Sequence, residues 1–279
     1  MSAGQRLCCY RSNIFIMKII DFHAHVYPDR IAQKATRATC DFYGLDTDQT
    51  GTVGQLLAKG RAAGIGRFVL LPVAVHARGV RQVNEFIVEQ VGEHPECYGF
   101  GTIHPAMEDL QGELDYIRAK GLLGVKLHPD MQEIYPDDER LLGVYERLRE
   151  WEMPLFVHCG DERRDFSHPR HLRRLIDRFP DLTVIAAHLG GWSKWDDAVR
   201  YLADTDCYVD ISSCMMFLPP EKVASYVRAF GAHRVLFGTD FPIWDAEKEV
   251  ASLLALALTD DEKERILYRN AERLLGKDV

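Results

Sequence analysis

No apolar run in this 279-residue chain approaches the roughly 20 residues that a membrane-spanning helix needs, so a helical membrane protein is excluded. A basic face is missing as well. Lysine and arginine number 34 against 42 aspartates and glutamates, and the formal net charge of −8 argues against nucleic acid or an acidic membrane surface as partner. The seven cysteines (Cys8, Cys9, Cys40, Cys97, Cys159, Cys207 and Cys214) are odd in number and follow no framework spacing, in a chain too large to need disulfide staples. A reducing cytoplasm is the expected location. The N-terminus has no clean apolar signal core, because its apolar residues run straight into the stretch KIIDFHAH, which makes export the poorer reading. Residues 1–16, ahead of Met17, read as an N-terminal extension. Residues 17–279 contain no Pro/Ser-rich linker, charge block or shift of composition, and one domain is expected there.

What the chain does have is a repeating pattern. Eight short runs rich in apolar and β-branched residues recur at 18–22, 67–72, 98–103, 124–127, 154–157, 183–187, 207–211 and 235–238. Nearly continuous apolar runs mark strands covered on both faces, as in a parallel sheet, where a half-exposed antiparallel strand would alternate. Between the runs lie amphipathic stretches such as Leu141, Val144, Tyr145, Leu148 and Trp151, whose spacing puts one apolar stripe on a helix. The final helix opens with Thr259 and Glu262 in capping-box spacing, carries Leu267, Ala271 and Leu274 on one face and stops at Gly276. Strand-helix units of this kind predict an α/β fold, a (β/α)8 TIM barrel, for which about 250 residues suffice. An open doubly wound sheet is the poorer alternative, since no glycine-rich phosphate turn follows the first strand. The longest irregular stretch, about 27–50, is expected to hold a helix or a lid over the mouth.

The polar residues that end these strands carry the chemistry. His23 and His25 are two apart in DFHAH, so a regular strand would point both to one face. His158 ends the fifth run, His188 the sixth, and Asp240 follows the eighth; all stand at C-terminal strand ends, where barrel enzymes build their sites. A single strand-end histidine is more often a hydrogen-bonded core residue. Five such groups at the same end of four strands point to a metal site, and mixed imidazole and carboxylate ligands suit one divalent ion, Zn2+ first, with Mn2+, Fe2+ or Ni2+ as alternatives.

The phrases DFHAHVYP, GVKLHP, AAHLGG, LFGTDFP and NAERLLG, from about Met17 onward, resemble the amidohydrolase superfamily. They are most similar to its amidohydrolase-related branch of aminocarboxymuconate-semialdehyde and resorcylate-type decarboxylases and lactone hydrolases. The resemblance implies His23, His25, His158 and Asp240 as metal ligands and His188 as general acid/base. It also implies a second role for Asp240, accepting a proton from the attacking water. In binuclear relatives a lysine at the position of Lys126 is carboxylated to bridge two ions; the branch most similar to this chain is generally mononuclear.

Lys126 and His128 are candidates for substrate contact, as are Arg163 after the fifth strand and Trp192 in a mouth-side loop. Tyr27, Phe217 and Trp244 extend an aromatic wall, and arginine beside such a wall suits a small aromatic or unsaturated acid. Cys159 reads as a buried structural thiol, since no base accompanies it. The leading expectation is hydrolysis of a small, carboxylate-bearing amide, ester or lactone. The alternatives are a nonoxidative decarboxylase or hydratase and a noncatalytic metal-binding scaffold, the last weakened by the presence of both His188 and Asp240. The expected partner is a small molecule, and nothing in the sequence speaks against a homo-oligomer.

Overall fold

The β-branched and aromatic runs become short parallel strands in the computed structural model, which describes residues 18–276. The extension expected at residues 1–16 lies outside the described residues. The strands are β1 (Ile20–Ala24), β2 (Arg67–Leu70), β3 (Cys97–Gly99), β4 (Gly101–Thr102), β5 (Val125–Leu127), β6 (Leu155–Val157), β7 (Val184–Ala186), β8 (Tyr208–Asp210) and β9 (Val235–Leu236). β3 and β4 are the two halves of the third run. At their junction Phe100 N donates back to Leu70 O at 3.0 Å and Gly101 N forward to Gly124 O at 2.9 Å, so the strand changes partner there. The fifth, sixth and eighth runs are accordingly β6, β7 and β9.

Within each of the two orders, β1-β2-β3 and β4 through β9, every strand pairs in parallel with its successor. The first and last strands then meet. Phe22 N donates to Phe237 O at 2.8 Å, Asp240 N to His23 O at 2.8 Å and His25 N to Phe241 O at 2.7 Å, which closes the ring. This is the expected (β/α)8 barrel.

Among its helices, α1 (Asp29–Tyr43) fills much of the stretch expected to cover the mouth, α2 (Val80–Glu93) follows β2, α3 (Leu142–Glu150) follows β5, and α4 (Ala246–Ala255) follows β9. α3 buries Val144, Tyr145 and Leu148, as its stripe requires. Inside the barrel the rings of Phe22, Phe100 and Phe156 form a floor with centroids 5.9 to 6.4 Å apart. The polar mouth lies above it.

The last helix has its capping box between Thr259 and Glu262 and its stop at Gly276. It is not uniform, however. A π-helical turn, Arg265–Arg269, separates α5 (Asp260–Glu264) from α6 (Asn270–Leu275). The cause is visible at Ile266, whose carbonyl accepts from Phe237 N of the barrel at 2.9 Å. The wider turn also lets the neighbours Ile266 and Leu267 both be fully buried.

One packing feature of α4 has a measurable cost. Glu249 is 1 % exposed, and both of its carboxylate oxygens lack a hydrogen-bond partner in the protein. Burial, reinforced by the charges of Asp240, Asp21 and Asp245, pushes its carboxyl up from 4.5 to about 8. The unfolded chain therefore loses this proton near pH 4.5 while the folded one keeps it, so folding stability falls as pH rises through that window. Glu249→Gln removes the ionisation. Its unfolding free energy relative to wild type, read by urea denaturation, should climb steadily from about pH 4.5 to 8, by an amount on the order of a few kcal/mol; a difference independent of pH would show that Glu249 is not held protonated.

Candidate functional site

The mouth is organised around a buried carboxylate at the end of β8. Asp210 takes Nδ1 of His23 on Oδ2 at 3.0 Å, while its Oδ1 accepts from the Ser212 backbone N–H at 2.8 Å and from the Ser212 hydroxyl. Burial opposes its ionisation, but the adjoining His23 and the hydrogen bond from Ser212 outweigh that and hold the carboxyl down at about 2. Burial also lowers His23 to about 4, so its ring is neutral. An ionised carboxylate can only accept. Nδ1 of His23 therefore carries the hydrogen, and Nε2 presents a bare lone pair. His25 is oriented in the same way: the Leu71 carbonyl, 2.6 Å from Nδ1, takes the hydrogen of that nitrogen and turns Nε2 toward the site.

These two Nε2 atoms are 3.1 Å apart, and Asp240 Oδ1 stands 3.4 Å from the first and 3.3 Å from the second. Three electron-pair donors facing one another repel, and a single proton can bridge only one of the three contacts. A cation between them removes the conflict. Edges of 3.1 to 3.4 Å are also those of ligand atoms about 2.0–2.2 Å from a common ion, so the donor set fits a divalent metal. The strand register shifts between Asp21 and Ala24, so plain alternation does not describe how His23 and His25 converge.

His188 and His158 form a neighbouring pair. Ser212 O lies 3.2 Å and Ser212 Oγ 2.9 Å from His188 Nδ1, and His188 Nε2 lies 3.1 Å from His158 Nδ1. His158 Nε2 faces the Gly160 carbonyl at 3.1 Å, which leaves its lone pair at Nδ1. His158 thus stands beside the tight trio of His23, His25 and Asp240 rather than within it. Its other neighbours are His128 and Asp130, whose ligand atoms come within 4.8 Å of its own. The rings of His128 and His158 stack at 4.0 Å with an interplanar angle of 10°, however, and parallel rings send their in-plane lone pairs side by side rather than to one point. Burial pushes both imidazoles well below their ordinary range.

A small cavity opens over this arrangement, lined by His25, His128, His158, His188, Trp192 and Asp240 among others. Two expected substrate residues are not part of its wall. Arg163 is exposed, with its guanidinium engaged by the Phe42 carbonyl outside the cavity. Lys126 is fully buried beneath, its Nζ 4.3 Å from the centre of the Phe156 ring, with no hydrogen-bond partner; burial brings its ammonium down to about 8. Of the aromatic wall, Tyr27 and Trp192 line the cavity, while Phe217 packs edge-on against Trp192 at 5.6 Å and Trp244 against Phe217 at 5.7 Å. Cys159 is buried and its thiol lies well above the ordinary range because of that burial, as a structural cysteine should.

Several site residues escaped the sequence reading. Asp210 had a usable signal, being the polar end of the seventh run in YVDISS. Ser213, which donates to Asp240 Oδ2 while accepting from Trp244 Nε1 at 2.7 Å, had none. Neither had Tyr43. Its oxygen lies 2.7 Å from His128 Nε2 and 3.2 Å from His158 Nε2; Met131 N donates to His128 Nδ1, so Nε2 of both rings carries hydrogen and the Tyr43 O–H points elsewhere, on the cavity wall. Three residues of the site, His188, Ser213 and Asp240, hold positive φ of 60°, 53° and 55°, a strained conformation for side chains other than glycine.

Comparison with known proteins accords with this geometry. The family model described as Amidohydrolase matches residues 20–277, and the chain belongs to that family. A curated relative, the decarboxylase orsB of Emericella nidulans, is 25% identical over 127 residues, a match that spans 36% of each chain. Among solved structures, an uncharacterised TIM-barrel protein from Bordetella bronchiseptica superposes with a TM-score of 0.78 at 24% identity, covering 92% of this chain and 98% of that one. A dihydroxybenzoic acid decarboxylase from Polaromonas sp., with bound manganese and the inhibitor 2-nitroresorcinol, gives 0.70 at 17%, covering 92% and 96%. A probable 2-pyrone-4,6-dicarboxylic acid hydrolase from Acinetobacter baumannii gives 0.68 at 16%, covering 93% and 100%. At these identities the structural likeness establishes the shared barrel.

The wall between His158 and Trp192 depends on one glycine. Gly160 has φ of +85°, and a Cβ there would lie 2.2 Å from Trp192 O and 2.3 Å from Trp192 N. Gly160→Ala should therefore cost about 2 kcal/mol or more, from the left-handed backbone and the displaced Trp192 segment together. Urea denaturation reads this directly, and a midpoint equal to wild type would contradict the packing described.

Proposed function

We propose that the chain is a metal-dependent nonoxidative decarboxylase of a small aromatic or unsaturated acid, with one divalent ion, Zn2+ or Mn2+, held by His23, His25 and Asp240 and completed by His158. The observation that carries this reading is the convergence of His23 Nε2, His25 Nε2 and Asp240 Oδ1 in a cavity whose lining contains neither lysine nor arginine among the described residues. An entering carboxylate then has the ion as its counter-charge, because Arg163 lies outside and Lys126 beneath. When bound, the ion anchors the acid's oxygens and draws electron density from them.

The remaining work falls to side chains. Asp240 is ionised: burial works against this, but His23, His25 and His188 together keep its carboxyl well below the usual range. It accepts the proton of the substrate hydroxyl and delivers it to the ring carbon that bears the carboxylate. The carbon–carbon bond then breaks, CO2 departs, and the electron pair it leaves restores the ring. His188, its Nδ1 hydrogen held by Ser212, offers Nε2 as acceptor to orient the substrate. Trp192 supplies an apolar face for the ring.

Hydrolysis of a small amide, ester or lactone, the reading favoured by the sequence, is the second candidate. It uses the same groups, with Asp240 taking its proton from water, and the likeness to a pyrone-dicarboxylic acid hydrolase supports it.

Metal-loaded protein incubated with hydroxybenzoates and with lactones separates the two, with CO2 and ring opening measured in parallel. CO2 release from the acids is the expected result; ring opening without CO2 would transfer the assignment to hydrolysis. Asp240→Asn should lose orders of magnitude in kcat while retaining part of the metal, and His188→Ala should keep its metal content near wild type while kcat falls about 10²- to 10⁴-fold. Equal metal loss in the His188 and His158 variants would make His188 a ligand, and full turnover in both the Asp240 and His188 variants would sink the catalytic reading.

A further inference from the structure

We infer that the substrate carries an apolar arm, beyond the ring or double bond that reacts, and that this arm lies in a cleft between α1 and α2. The inference rests on the metal-centred reading of the mouth for the position of the reacting head, and on the shape of the wall for the arm.

α1 is apolar along two stripes. Ala32, Thr36 and Cys40 are buried against the barrel, as one covered face requires. Ile31, Ala35, Ala38 and Phe42, spaced by four, three and four, form a second stripe that no other element covers completely, and Ile31 remains 43% exposed. Across from it stands Val75, 44% exposed, with Phe86 of α2 beside it. Single exposed apolar residues are ordinary on a protein surface. These instead line one cleft of about 450 Å3, together with Ala35 and Ala38, with Arg30 and Gln82 as its main polar members besides His25, Tyr27 and Thr39.

The cleft adjoins the cavity over the metal donors. His25, Tyr27, Thr39, Val73 and Met131 line both. A molecule whose oxygens reach the His25 and Asp240 side can therefore extend past Val73 and Met131 into the trough of α1 without leaving protein contact. The histidines and Asp240 cluster at the cavity end, while the exposed side chains of Ile31 and Val75 stand at the cleft end. The arrangement matches an acid with an alkyl or aryl substituent of several carbons, rather than a compact acid that would fill the cavity alone.

The test uses n-alkyl hydroxamates, which pair a metal-chelating head with an arm of chosen length, on the full-length Zn2+-loaded protein by calorimetry. From acetyl to octanoyl, affinity should rise about twofold or more per added methylene, on the order of 50-fold in all. Ala38→Trp, which fills the trough from an exposed position, should flatten that dependence while leaving acetohydroxamate affinity unchanged. Affinity independent of chain length in a protein that binds acetohydroxamate overturns the arm, as does light scattering that shows a dimer split into monomers by Val75→Arg, since a second copy would then own the cleft. Failure of acetohydroxamate to bind at all counts against the metal reading instead. In that case acetate to octanoate on the metal-free protein decides the arm alone, a rising affinity upholding it and a flat one removing it.

Discussion

The site depends on the pairing of Asp210 with His23. A neutral histidine can place its one hydrogen on either ring nitrogen, and only a fixed acceptor decides which. Asp210, fully buried and tied to the Ser212 backbone, makes that decision for His23 and leaves Nε2 bare toward His25 and Asp240. Ser212 extends the same control to His188, whose Nδ1 lies 2.9 Å from its hydroxyl. One carboxylate on β8 thus sets the hydrogen positions on two rings belonging to β1 and β7. Carboxylates that orient ligand histidines are a recurrent means of raising metal affinity.

Around this pair the protein accepts local cost. His188, Ser213 and Asp240 occupy the left-handed region, and the buried Lys126 Nζ, Asp130 Oδ2 and Asp161 Oδ2 have no hydrogen-bond partner in the protein. Orphaned polar atoms and strained backbone are uncommon in a well-packed interior and cluster where chemistry is done. The surrounding barrel supplies the compensation: its strands are nearly all buried on both faces, and the Phe22, Phe100 and Phe156 floor closes the interior beneath the polar mouth.

Much of this was legible in the sequence. The eight apolar runs each correspond to a strand position, and the polar residues following them, His23, His25, His158, His188 and Asp240, all face one mouth because strand ends of a parallel barrel share a side. What periodicity could not reveal was how side chains pair across strands. Asp210 looked like any strand-end carboxylate until His23 was placed beside it. Tyr43 sits on α1, far in sequence from the two histidines it meets, and only the fold brings it there. Arg163 shows the reverse error, since proximity in sequence to His158 suggested a substrate contact, whereas the turn after β6 directs its guanidinium to the carbonyl of Phe42. The π-helical turn at Arg265–Arg269 was equally hidden, because its cause is a barrel N–H that claims a helix carbonyl.

With the proposed metal and the inferred arm, the mouth would bind one end of a molecule by charge and the other by contact. In the function proposed, the trio of electron-pair donors is a cation site whose geometry Asp210 maintains. Calorimetric titration of the metal-free protein with Zn2+, set against the same titration of Asp210→Asn, tests this most directly. Saturation at one ion per chain is expected in the wild type, and an affinity about 10- to 100-fold weaker in the variant, which folds but no longer fixes the His23 tautomer. Absence of saturable binding in the wild type, or equal affinity in the two proteins, would contradict it.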